Sequence, residues 1–262
     1  MAGVGVWIGR YLTVYSENHS IVILASVAAA LVCGAGNSLN DYLDIETDKL
    51  NHPKRPLPRG DLPPYIAVLT TIIFNIIAVI IGLMINLPVF IIIVLAIILL
   101  FLYNFKLKKK PLVGNLSVSV LSGAVFLVGG LAETGNPGTL PGPVIPAIFA
   151  FMFHLGRELV KDIADLEGDL KAGYRTLAAL LPYRQVMAMI TFLFLTLIFL
   201  TLVPVYYGWY RVAYAYIAGL AVDIPLLSII FYLYLAGSPK RFELAGNIMK
   251  LLMLFGLLAF YL

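Results

Sequence analysis

Two short stretches of this 262-residue chain carry the same carboxylate rhythm: Asp41, Asp44 and Asp48, then Asp162, Asp165 and Asp169. Residues at i, i+3 and i+7 share one face of a helix, so each triplet predicts three carboxylates side by side. Like charges held that close repel unless cations sit between them. Carboxylate oxygens are hard donors suited to Mg²⁺, which binds through one or two of them while keeping waters and substrate phosphate oxygens. The basic residues just downstream suit a phosphate: Lys54, Arg55 and Arg59 after the first triplet, Lys171 and Arg175 after the second. The pattern therefore predicts a site for a divalent metal and a polyanion. The triplets begin 121 residues apart, which predicts two related halves, roughly 1–131 and 132–262, forming one domain over 1–262.

The elements that carry these residues are apolar. The composition is 61% hydrophobic and only 12% charged, and mean hydropathy is +0.96. Soluble domains average about 25% charged residues, so the balance indicates a polytopic membrane protein. No Asp, Glu, Lys or Arg occurs in residues 62–105, 111–132, 134–156 or 185–210. Runs of that length cross a bilayer as helices, and the alternating segments of a β-barrel are missing. The expected fold is all-α, a bundle of nine transmembrane helices around a central cavity. The spans are expected at 1–16, 20–39, 63–85, 88–105, 112–131, 141–159, 184–206, 211–235 and 243–262. Asn86-Leu87-Pro88 divides the longest run, a turn signal that also supplies a Pro near the next helix start.

Lysine and arginine concentrate in the loops after the second, fourth, sixth and eighth spans, while the opposite loops offer only Arg211. This bias predicts a multi-pass protein of the cell (plasma) membrane with both aspartate triplets facing the cytoplasm. The net charge of +4 is dispersed in these short loops and does not indicate a nucleic-acid partner. The single Cys33 allows no intrachain disulfide, and residues 1–16 show no cleavable leader. Asp223, Lys250 and His154 fall inside expected spans, where ionisable groups are expensive; an Asp223–Lys250 pair bracing the bundle is the expectation.

The motifs also carry a resemblance. Asn40-Asp41-x-x-Asp44-x-x-x-Asp48 and Asp162-x-x-Asp165-x-x-x-Asp169 resemble the paired motifs of the UbiA superfamily of intramembrane prenyltransferases. So do the Asp48-to-Gly60 stretch and Leu102-Tyr103-Asn104 followed by Lys106, Lys108 and Pro111-Leu112-x-Gly114-Asn115. The resemblance implies a membrane enzyme with Mg²⁺ as cofactor and a prenyl diphosphate as donor. It implies that Asp41, Asp44, Asp48, Asp162, Asp165 and Asp169 act on the metals and that Asn40 orients the diphosphate. It further implies diphosphate contacts from Arg55, Tyr103, Lys171 and Arg175, with Lys106 and Lys108 both open for a further one. Gly156-Arg157-Glu158 running into Lys161-Asp162 most resembles the lipid-forming branch, which adds a second geranylgeranyl group to geranylgeranylglyceryl phosphate. Members usually open with an Arg-Pro-x-Asn-like segment, which is missing before the first span here. Two other readings stay open: prenylation of an aromatic acceptor, as in quinone or chlorophyll-type synthesis, and divalent-cation transport.

Overall fold

The computed structural model describes residues 1–13, 19–51, 53–136, 138–171, 173, 175–235 and 239–262. Every regular element among them is helical: α1 (Ala2–Tyr11), α2 (Ser20–Leu43), α3 (Ile45–Asn51), α4 (Pro56–Arg59), α5 (Pro64–Ile85), α6 (Leu87–Leu102), α7 (Val113–Thr134), α8 (Val144–Ala164), α9 (Leu166–Lys171), α10 (Leu177–Leu180), α11 (Tyr183–Tyr206), α12 (Val212–Ile217), α13 (Ile224–Leu235) and α14 (Pro239–Tyr261). Two π-helical turns interrupt the series, Tyr103–Leu107 after α6 and Ala218–Asp223 between α12 and α13.

A helix occupies each of the nine expected spans, and seven of these are long and apolar enough to cross a membrane. The first is not, because α1 has only 10 residues, about 15 Å at 1.5 Å per residue. The expected end of that span, at residue 16, lies outside the described residues. The other exception is α8, whose second half carries Arg157, Glu158, Lys161 and Asp162. Elsewhere the helices turn apolar side chains outward: Ile72, Ile76 and Leu83 of α5 and Phe199 of α11 are each at least half exposed. Such a surface suits lipid and not water.

The chain packs as two compact units, Met1–Lys108 with Ala124–Gly138, and Lys109–Gly123 with Thr139–Leu262. In the first unit, small residues let helices approach closely. A Cβ on Gly9 would lie 2.0 Å from the carbonyl oxygen of Phe126, and one on Gly129 2.0 Å from that of Val6. Only glycine at both positions allows α1 to lie against α7, the small-residue contact that substitutes for hydrophobic drive inside a bilayer. Arg10 Nε, buried, donates to Glu133 Oε2 at 3.0 Å and ties the ends of the same helices. Asn86 accepts from the Val89 amide at 2.9 Å as N-cap of α6, at the turn expected between the two spans. Its side-chain amide also donates to the Leu131 and Ala132 carbonyls.

The second unit is built on larger side chains. Phe153, Leu159, Met187, Ile190, Phe194, Leu226, Phe242 and Met249 form its buried centre. Gly156 makes room for Phe194 there, since a Cβ would stand 2.3 Å from its ring. The expected Asp223–Lys250 pair does not form. Asp223, at the end of the second π turn, accepts from Thr201 Oγ1 at 2.8 Å, whereas the exposed Lys250 donates to Asn247 Oδ1 at 2.9 Å. A hydroxyl one helix away meets Oδ2 of the buried carboxylate without desolvating a second charge, and Oδ1 is left without a hydrogen-bond partner among the described residues.

Candidate active site

In the first unit, α2 ends at Leu43 and α3 begins at Ile45, leaving Asp44 alone at the break with φ −96° and ψ 6°. The amide ladder nevertheless runs on: Asp44 N–H donates to the Asn40 carbonyl at 2.9 Å, and Asp48 N–H to the Asp44 carbonyl at 2.7 Å. The ladder therefore carries across the break, and Asp41, Asp44 and Asp48 stay on neighbouring turns. Asp48 is only 5% exposed.

Chain-borne cations offset the repulsion among these carboxylates. Arg55 Nη1 donates to Asp48 Oδ2 at 2.7 Å and to Asp41 Oδ1 at 3.3 Å. Lys108 Nζ donates to Asn40 Oδ1 at 3.1 Å and forms an ion pair with Asp44. Asn37, Asn40, Asp41, Asp48, Arg55 and the Pro56-Leu57-Pro58 turn line a pocket of about 400 Å³. A wall of carboxylate and amide oxygens with guanidinium beside it fits a hard divalent ion together with an anion.

Of the two competing lysines, Lys108 reaches this group and Lys106 is exposed. The reason is the π turn. Lys108 N–H donates to the Tyr103 carbonyl five residues back, at 2.9 Å, so Tyr103 and Lys108 begin and end one wide turn. An ordinary helix would place position 107 there instead.

The second unit repeats the break. Asp165 alone separates α8 from α9, with φ −92° and ψ 2°. Its N–H donates to the Lys161 carbonyl at 2.9 Å, and Asp169 N–H donates to the Asp165 carbonyl at 2.9 Å. Asn115 Nδ2 donates to Asp162 Oδ2 at 2.9 Å. Burial pushes the Asp162 carboxyl, which lies past the apolar part of α8, up to about 7, against the opposing pull of Asn115. Asp165 is exposed. Of the expected clamps here, Lys171 donates to Glu167 Oε1 at 2.8 Å and holds that exposed carboxyl below its usual range, and Arg175 is exposed. His52 and Tyr174, which complete the two motifs, lie outside the described residues.

Among the described residues no three His, Cys, Asp or Glu side chains close on a common point as ready-made metal ligands. The first triplet is instead partnered by Arg55 and Lys108. Two features escaped the sequence. Asn115 stands 47 residues from its partner Asp162, with no local signal to connect them. Arg157 and Glu158 form a 2.9 Å pair, their side chains 16% and 15% exposed, one turn before Asp162. The corresponding residues of α2, 121 positions earlier, are the uncharged Gly36 and Asn37.

An all-helical, multi-pass membrane protein with two acidic helix breaks, the first of them backed by cations, fits the class of membrane enzymes that handle polyanionic substrates. More narrowly, a model of the UbiA prenyltransferase family matches residues 2–254, and the chain belongs to that family. It is a prenyltransferase. The digeranylgeranylglyceryl phosphate synthase of Methanopyrus kandleri is 35% identical over 261 residues, 99% of this chain and 93% of that one. The synthase of the same name from Thermococcus gammatolerans is 35% identical over 223 residues, covering 84% and 77%. Among solved structures, one of a digeranylgeranylglyceryl phosphate synthase superposes with a TM-score of 0.77 at 30% identity, over 99% of this chain and 91% of that one. A UbiA homologue from Archaeoglobus fulgidus bound to GPP and Mg²⁺ shares the fold, with a TM-score of 0.69 at 16% identity and coverage of 100% and 95%.

Proposed function

We propose that this protein transfers a geranylgeranyl group from geranylgeranyl diphosphate to geranylgeranylglyceryl phosphate, forming an ether-lipid precursor with Mg²⁺ as cofactor. The observation that carries the reading is the 35% identity to a synthase of that name along 99% of the chain. In the reaction the bond between prenyl C1 and the diphosphate oxygen breaks, and its electron pair leaves with the diphosphate. The acceptor hydroxyl oxygen bonds to C1 and gives up its proton.

The chain's own residues divide the work on this reading. Asp41, Asp44 and Asp48 in one unit and Asp162, Asp165 and Asp169 in the other hold the metal ions, directly or through waters. Bound there, Mg²⁺ supplies positive charge against the leaving diphosphate. Asn40, Tyr103, Arg55 and Lys108 orient the diphosphate, with Lys171 and Arg175 as further diphosphate contacts. The support is the shared Asp break and the oxygen-lined pocket beside Arg55. The apolar helices keep water from a developing allylic cation.

We further infer one domain of two pseudo-repeated halves, lying in the cell membrane with its acidic breaks toward the cytoplasm. The family match across 2–254 supports the single domain, and the loop lysines and arginines support the orientation. The test is an acceptor comparison with geranylgeranyl diphosphate and purified protein. Ether product with prenylglyceryl phosphate is the expected outcome; exclusive prenylation of hydroxybenzoate or naphthoate overturns the assignment.

A further inference from the structure

We infer that Arg55 and Lys108 are exchangeable counter-ions, which hold the first aspartate triplet until a divalent cation takes the carboxylates and then turn to the diphosphate. The inference rests on the Mg²⁺-dependent reading above and concerns how metal and diphosphate binding are coupled.

The oxygens suited to a metal are the ones already engaged. Asp48 Oδ2 accepts from Arg55 at 2.7 Å, Asp41 Oδ1 from the same guanidinium nitrogen at 3.3 Å, and Asp44 Oδ2 is paired with Lys108. The Asp48 and Asp44 side chains are only 7% and 15% exposed. In such partly desolvated surroundings, charges of one sign interact strongly and are little screened by salt. A divalent ion on these oxygens repels both side-chain cations, so metal and side chains compete for one set of acceptors.

Both cations are placed to move. Arg55 precedes α4 on extended backbone, with φ −66° and ψ 148°, and its side chain is 44% exposed at the pocket wall. Lys108 follows the π turn, and its amine also touches Asn40, which lines the same pocket. Displaced from the carboxylates, each needs an anion within a few ångströms, and a diphosphate in that pocket provides one. Metal alone must break three ion-pair contacts made by two cations, and diphosphate alone meets cations already neutralised. Bound together, each relieves the other's cost, and the coupling is reciprocal by linkage.

The inference makes an unusual demand on two substitutions. In detergent-purified protein without diphosphate, Lys108→Met and Arg55→Met should each bind Mg²⁺ about tenfold more tightly than wild type, because the competitor is gone. The same variants should bind a non-ionisable geranylgeranyl diphosphate analogue, with Mg²⁺ present, about tenfold more weakly. Calorimetry reads both without turnover. Lys108→Arg and Arg55→Lys, which keep the charge, should retain wild-type Mg²⁺ affinity and guard against a folding defect. Unchanged or weaker Mg²⁺ affinity in the Met variants overturns the exchange while leaving the metal reading intact. Mg²⁺ binding to none of the proteins, with turnover surviving EDTA, overturns the metal reading itself and the exchange with it.

Discussion

Asp44 and Asp165 occupy equivalent backbone positions in two different units: each is the single residue between a long helix and a short one, with φ,ψ of −96°, 6° and −92°, 2°. In both, the residue four positions on donates its amide back across the break to the aspartate carbonyl. The repeat is therefore conformational as well as sequential, and it places the middle aspartate of each triplet at a break between two helices.

Asp44→Ala and Asp165→Ala should each lower prenyl transfer by at least about 100-fold, the scale of removing an electrostatic contact to developing charge. Circular dichroism and thermal unfolding should remain close to wild type. Full turnover in both variants would refute a two-triplet mechanism.

Chelation gives an independent check. Product formation should stop in EDTA and return on adding excess Mg²⁺, because the aspartates are hard oxygen donors with little affinity for soft metals. Transfer that persists after exhaustive chelation contradicts the proposed cofactor.

The π turn makes neighbouring lysines unequal. Lys106→Ala should change the donor KM by less than about twofold, as expected for an exposed side chain. Lys108→Ala should reduce kcat/KM by about tenfold or more, having lost a charge-assisted contact. Equal effects would show that the register around Tyr103–Leu107 differs from the one described.

Helix α1 is held by close backbone approach, so Gly129→Leu should be costly. Its side chain meets the Val6 carbonyl, where even a Cβ would stand at 2.0 Å. A loss of about 1–3 kcal/mol, typical of overpacking, is expected in thermal or denaturant unfolding. Wild-type stability would mean that α1 and α7 pack otherwise.

A double-mutant cycle separates the two possible partners of the membrane-buried carboxylate. Asp223→Ala with Thr201→Ala should show coupling of about 0.5–1.5 kcal/mol, because their side chains bond at 2.8 Å. Asp223→Ala with Lys250→Ala should be additive. Coupling in the second cycle alone would reinstate the ion pair that the sequence suggests.

Much of this protein is legible along the chain, because the signals involved are local. Uncharged runs such as 62–105 declare membrane helices, and Asn86-Leu87-Pro88 declares the break within them. The i, i+3, i+7 spacing of Asp41, Asp44 and Asp48 places three carboxylates on one side, since helix geometry needs only the count of residues. The same counting fails at α1, where apolarity continues beyond a helix that ends at Tyr11.

What the amino-acid sequence determined by itself was the helical membrane fold, its doubled acidic motif and the charge asymmetry of its loops. Tertiary structure decided which cation serves which carboxylate: Arg55 holds Asp41 and Asp48, and Lys108 and not Lys106 holds Asp44. It likewise gave Asp162 to Asn115 and Asp223 to Thr201. These choices depend on a π turn that adds a residue to one helical cycle and on contacts between residues 7 to 64 positions apart. Short-range periodicity carries no information about such pairings, because they are set by how whole helices pack.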